Sequence, residues 1–256
     1  MWRASFAELL GVTALVFAMD TIHIGTLETD KESPALVISF LSTVTLTIML
    51  LAVFPVSGGH LNPAISLAAG LVGLVSMSRV FLYIIAQSIG AVLGALALKA
   101  VISSEIDNNY ALGGCTLSVV TQSPNGPTIV GIGTDQALFL EILSTFVVIF
   151  AAGGIGFNRS GILGPKPVFI FSIIGIMVGL MTYVTSTVLR VKGYIGAGMN
   201  PARCLGPAIV RGGLLWDRHW IFWVGPAIAA FAFYVYTKII PSEKFYPCTT
   251  TTTTKA

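Results

Sequence analysis

The chain has 256 residues, of which 55% are hydrophobic and only 10% charged, with a formal net charge of +3. An ordinary soluble domain is about 25% charged. So few charges cannot cover a soluble globule, which excludes a soluble enzyme, a disordered chain and a nucleic-acid binder and leaves a multi-span membrane protein.

A spanning helix needs about 20 mostly apolar residues, and six stretches qualify, roughly 4–24, 34–54, 80–101, 136–156, 167–189 and 219–240. The first is not a cleavable leader, because it carries an acid at Glu8 and exceeds the usual apolar core of a signal peptide. Polar breaks separate the stretches at Thr29 to Pro34, Ser104 to Asn109 and Asn158 to Pro167. Gly113 to Gly133 forms a long Gly- and Pro-containing link, either functional or mobile. Residues 241–256 carry six consecutive Thr and are expected to be a disordered tail.

Lys and Arg in the links orient the chain. Arg3, Arg79, Arg159, Lys166, Lys238, Lys244 and Lys255 fall on one side, which places both termini in the cytosol. Arg190, Lys192, Arg211 and Arg218 fall on the other side, against that count. Asn158-Arg159-Ser160 is a glycosylation acceptor on the inner side and is expected to stay unmodified. Cys115, Cys204 and Cys248 are too few and too scattered for a disulfide framework or a zinc site, and no metal is expected.

Two segments, 55–78 and 191–216, do not fit plain spans. Each is Gly-rich and contains Asn-Pro-Ala, at Asn62-Pro63-Ala64 and Asn200-Pro201-Ala202. Upstream, Phe6-Ala7-Glu8-Leu9-Leu10 resembles Phe139-Leu140-Glu141-Ile142-Leu143. Glu8 precedes Asn62 by 54 residues and Glu141 precedes Asn200 by 59, so the halves repeat. The expected units are 1–133, three spans with a half-helix and the long link, and 134–240, three spans with the second half-helix. Three spans per half is odd, so the second half enters from the opposite side: an inverted repeat, with its site near the midplane.

Asn is a strong N-cap, Pro suits the first helical position and Ala favours continuation. Each motif therefore starts a helix of about ten residues, roughly 15 Å, half of an apolar core of about 30 Å. Two such helices from opposite faces meet N-terminus to N-terminus. Each Asn oxygen caps its helix, leaving the NH2 group to donate, backed by two positive dipole ends. One Asn-Pro-Ala is an ordinary helix start; two copies at matching positions mark a pore.

At these residues the chain resembles the major intrinsic proteins, the aquaporins and aquaglyceroporins, over essentially all of residues 3–240. Ser57-Gly58-Gly59-His60, Arg203 after the second motif, and Trp220-Ile221-Phe222-Trp223-Val224-Gly225-Pro226 also match. Within the family it is most similar to the plant X intrinsic proteins, through Cys204 in Asn-Pro-Ala-Arg-Cys and Leu112-Gly113-Gly114-Cys115. The resemblance implies an all-α membrane protein of six tilted spans and two re-entrant half-helices, a pore in each protomer, and a homotetramer, with the plasma membrane as the expected location. It implies a selectivity filter of four residues: Arg203 and Ala197, with Ser42 from span two and Val188, or Thr187, from span five. Small residues at the span positions suit glycerol, urea, boric acid and hydrogen peroxide as well as water. Phe222-Trp223 is instead an aquaporin-type pair.

Glu8 and Glu141, acids inside apolar spans, are expected to support the re-entrant loops by accepting their N–H groups, and His60 to hold the first loop. Arg203 is expected to offer donors to a solute and repel cations. Cys204 is a possible reactive thiol or a small packing residue, while Cys115 pairs with another chain or with nothing. Gly90 and Gly94, and Gly175 and Gly179, are expected packing seams within a protomer. The reading is a passive channel for water and small uncharged solutes, with no enzymatic activity, cofactor or nucleic-acid partner. A strictly water-selective pore is the nearest alternative. An ion-coupled transporter would have only Glu8, Glu141 and Asp20 to work with, and a non-conducting junction protein would need bulky residues where Ser42, Val188 and Ala197 stand.

Overall fold

The computed structural model describes residues 1–29, 32–124, 126–156, 167–189 and 191–240. The acceptor at Asn158 and the Thr-rich tail lie outside them. Among the described residues six helices are long and apolar enough to cross a membrane. They are α1 (Trp2–Thr29), α2 (Pro34–Ser57), α4 (Met77–Lys99), α6 (Thr134–Gly156), α7 (Pro167–Val188) and α9 (Ile221–Ile239). Two short helices, α3 (Pro63–Leu71) and α8 (Pro201–Arg211), follow the two Asn-Pro-Ala motifs.

The long link is not featureless. It holds the short helix α5 (Ser104–Tyr110), a 3-10 turn at Ala111–Gly113, and an antiparallel hairpin of β1 (Ser118–Ser123) and β2 (Gly126–Gly131), with Ser118 opposite Gly131. The apolar-run reading missed the hairpin because its strands are short and half-exposed.

The bundle is apolar outside as well as in its core, and its buried polar groups are gathered within that apolar interior. Phe40, Phe81, Phe139 and Ile239 are exposed, whereas Glu8, Asp20, Ser42, Gln87 and Glu141 are buried. Lipid supplies the apolar surroundings, so the core is where polar groups find partners.

α1 packs on α4 and α6 on α9, the same pairing in each half; α3 packs on α9 and α8 on α4, each half-helix against the opposite half. Glycines set the close approaches. A Cβ at Gly90 would lie 2.3 Å from the Leu9 carbonyl oxygen, and one at Gly225 would lie 2.6 Å from Glu141 Cβ. Gly175 and Gly179 bring α7 within reach of the Thr43 and Ser39 carbonyls of α2. Such sites cannot accept a methyl without moving backbone. Gly90→Ala should cost about 1–3 kcal/mol and lower the unfolding temperature of the detergent-solubilised protein. Gly25→Ala, where a Cβ would meet nothing within 4 Å, should not.

Candidate functional site

The site is built where α3 and α8 begin. Asn62 Oδ1 accepts from the Ala64 N–H at 2.8 Å, and Asn200 Oδ1 from the N–H groups of Ala202 at 3.1 Å and Arg203 at 3.4 Å. The residue before each Asn is left-handed, Leu61 at φ 49° and Met199 at φ 54°. A non-glycine residue held there costs of order 1–3 kcal/mol. The conformation aims each carbonyl across the pore. Asn62 Nδ2 donates to the Met199 carbonyl at 2.8 Å, and Asn200 Nδ2 to the Leu61 carbonyl at 2.9 Å. The sequence implies two free NH2 groups, but each is partly engaged. One N–H of each braces the opposite loop, which leaves one for a solute.

Glu8 and Glu141 hold the strained approaches. Glu8 accepts from Ser57 Oγ at 2.6 Å, the N–H groups of His60 at 3.0 Å and Leu61 at 2.7 Å, and Gln87 Nε2 at 2.8 Å. Glu141 accepts from the N–H groups of Gly198 and Met199, the latter at 3.0 Å. His60 Nδ1 lies 3.1 Å from Ser66 Oγ, pinning the loop to the first turn of α3.

Three cavities lie along the bundle. One of about 60 Å³ passes both motifs, lined by His60, Asn62, Asn200 and Arg203 between apolar walls that include Leu15, Leu50 and Val148. Next to it, at the end carrying the 100–133 link, a cavity of about 20 Å³ is bounded by Met19, His23, Ser42, Thr182, Ala197 and Arg203. A cavity needs about 10–15 Å³ to hold one water, so this is a single-file constriction. It opens towards a wide mouth of about 550 Å³, shared by His23 and Ile195 and floored by the link.

Ser42, Ala197 and Arg203 therefore meet at one narrow point, but Val188 does not. Val188 is 60% exposed at the end of α7, whereas Thr182 is buried and lines the cavity. Thr182 stands six residues earlier, about 9 Å deeper along the helix, and the alternative Thr187 is half-buried but does not line the cavity. The repeat spacing does not give it, since Ser42 precedes its Asn by 20 residues and Thr182 precedes its Asn by 18. Met19 and His23 were also not foreseen.

The cysteines require a second correction. Cys115 and Cys204 form a disulfide, so Cys204 is neither a free thiol nor only a packing residue. They are 89 residues apart in sequence, but the link folds back over the start of α8. The same strand of link embraces Arg203: Nη1 lies 3.4 Å from Cys115 Sγ, and Nη2 donates to the Gly113 carbonyl at 3.2 Å. Nη2 also lies 3.4 Å from Asp20 Oδ1. Around the constriction, Nε of Arg203, Ser42 Oγ and both carboxylate oxygens of Asp20 are buried without a hydrogen-bond partner among the described residues. No group of three or more His, Cys, Asp or Glu residues that could hold a metal occurs among them.

A six-span inverted repeat with two half-helices meeting at a row of cavities that carry the Asn62 and Asn200 side chains defines a transmembrane channel. The chain belongs to the major intrinsic protein family, whose model matches residues 1–236. It is similar to "Probable aquaporin TIP3-2" of Arabidopsis thaliana, 32% identical over 253 residues that cover 94% of this chain and 85% of that protein. It is also similar to aquaporin-4 of Bos taurus, 30% identical over 90% of this chain and 64% of that one. The fold matches the X-ray structure of the aquaglyceroporin from Plasmodium falciparum with a TM-score of 0.75, at 18% identity, over 93% of this chain and 96% of that one.

Glu8→Ala strips acceptors from two buried backbone N–H groups, at about 1–3 kcal/mol each. Folded yield in membranes should fall sharply, and water flux per folded channel should fall with it. A mercurial applied to the oxidised Cys248→Ser protein should leave flux unchanged. After reduction the same reagent should inhibit, and Cys204→Ser should abolish that inhibition. Inhibition without reductant would mean that the bond is absent.

Proposed function

We infer that the protein is a passive channel for water and small uncharged solutes, with glycerol, urea, boric acid and hydrogen peroxide as the candidate solutes. The observation that carries this reading is the pair of opposed Asn caps lining one central cavity. A permeating oxygen accepts the remaining N–H of Asn62 or Asn200, while the positive ends of α3 and α8 converge on it from both sides and oppose protons and cations. The factors that set such selectivity are pore width, lining donors and an electrostatic barrier, an account itself framed on aquaporin-type pores.

The proposed filter is Ser42, Thr182, Ala197 and Arg203. Its first three side chains are small, which favours solutes wider than water. The constriction of about 20 Å³ favours a second reading, a strictly water-selective pore. Assignment to the X intrinsic proteins rests on the two cysteine-bearing motifs, and the homotetramer on family resemblance; native mass spectrometry of the purified protein tests the latter.

The orientation places both termini in the cytosol and the link outside, with the plasma membrane as the proposed location. A disulfide persists on an oxidising side, in keeping with Cys115–Cys204 at the link end. Two of the bases that stand against the charge count are paired there, Arg211 with Asp107 at 3.0 Å and Arg218 with Asp217 at 2.9 Å.

Light scattering from reconstituted vesicles under water, glycerol and urea gradients tests the reading. Wild type should pass all three. Ser42→Phe with Thr182→His adds far more bulk than a methylene, itself worth about 1–3 kcal/mol in an apolar pocket, and should cut glycerol and urea flux by more than about tenfold while water still passes. Glycerol exclusion by wild type would establish the water-selective reading. An unchanged solute flux in the double variant would remove Ser42 and Thr182 from the filter.

A further inference from the structure

We propose that the charge of the outer constriction is set by a buried ion pair, Asp20–Arg203, so that α1 supplies a positioning residue for selectivity and Arg203 is not a lone cation barrier. The proposal rests on the channel reading. Arg203 Nη2 stands 3.4 Å from Asp20 Oδ1, with the side chains only 8% and 0% exposed. Neither carboxylate oxygen of Asp20 receives a hydrogen bond among the described residues. A buried carboxylate without compensation is strongly disfavoured, so Arg203 is what allows Asp20 to sit there.

His23 completes the arrangement. It lies three residues after Asp20, hence on the same face of α1. Its Nδ1 is 2.9 Å from the Met19 carbonyl, which can only accept, so Nδ1 carries the hydrogen. Arg203 Nη2 lies nearly equidistant from the two ring nitrogens, 3.4 Å from Nδ1 and 3.5 Å from Nε2, so the guanidinium packs against the imidazole. Asp20 and the Gly113 carbonyl lie on Nη2 with the His23 ring packed beside it, which draws the guanidinium towards α1 and the link. Nε remains without a protein partner.

Opposite charges this close cancel at the distance of an approaching ion. Ion exclusion at the constriction then depends on width and neutrality, and the positive barrier belongs to the helix ends at the midplane. Removing one member of the pair leaves a net charge of known sign at the narrowest point.

The test is ion permeability in planar bilayers under a potassium nitrate gradient, with water flux of the same preparations measured in vesicles. Asp20→Asn leaves Arg203 unpaired and should shift the reversal potential towards nitrate. Arg203→Met leaves Asp20 unpaired and should shift it towards potassium at alkaline pH, where the buried carboxylate ionises, and not at neutral pH, where it takes up a proton. A focused charge raises local counter-ion concentration about tenfold or more, so at alkaline pH each single variant should leak by at least about that factor. The double variant should return to the wild-type leak. A general loosening of the constriction would move both single variants the same way.

Shifts of the same sign, or a double variant as leaky as either single one, overturn the proposal. If a single variant does not fold, folded yield is the readout: the charge-free double variant should restore it, and a yield no better than that of the single variants overturns the pairing. Absence of water flux in wild type would refute the channel reading itself and is seen separately.

Discussion

The structure depends on one constraint: two irregular backbone segments must sit at the centre of a membrane, where no water satisfies their N–H groups. Glu8 and Glu141 meet it. Each is buried in a long helix and accepts from the backbone just before an Asn-Pro-Ala motif, at His60 and Leu61 in one half and Gly198 and Met199 in the other. With those donors held, Leu61 and Met199 can stay left-handed and turn their carbonyls to the opposite Asn. The midplane is therefore a closed reciprocal brace. Neither loop keeps its geometry without the other, which gives the inverted repeat a physical function beyond symmetry.

Much of this was legible in the sequence because it is local or periodic. Asn-Pro-Ala specifies a cap and a helix start within three residues, and the repeated acid marks what supports each loop. Gly90 and Gly225 stand where α4 and α9 cross the helices that carry those acids. What the sequence hid depends on distance through space. The depth of a side chain along α7 follows from the shape of the non-helical approach to Asn200. A count from Asn200 reaches Val188, near the helix end, and the first-half spacing of 20 residues reaches Leu180, which is exposed; neither leads to Thr182. The Cys115–Cys204 bond joins residues 89 apart and needs the path of the link. Asp20 reads from sequence as one more acid in an apolar span, because Arg203 is 183 residues away.

The two halves agree at the midplane and diverge one step beyond it. The residue after Ala64 is Ile65, which lines the central cavity with apolar surface; the residue after Ala202 is Arg203. The next position is tied down in both halves, by different chemistry. Ser66 Oγ is held by His60 and by Gln87 Nε2 at 3.0 Å, all within the first half. Cys204 is bonded to the link. The first half thus spends that position on fixing its own loop, whereas the second uses it to bring Gly113 and Cys115 against the guanidinium. A barrier built from helix ends needs the symmetry of the repeat, since both dipoles must converge on one point. Discrimination by size and by hydrogen bonding needs only one narrow place, and departures from symmetry supply it at the link end. There Arg203, Ser42, Thr182 and Ala197 close the passage to about one water's width.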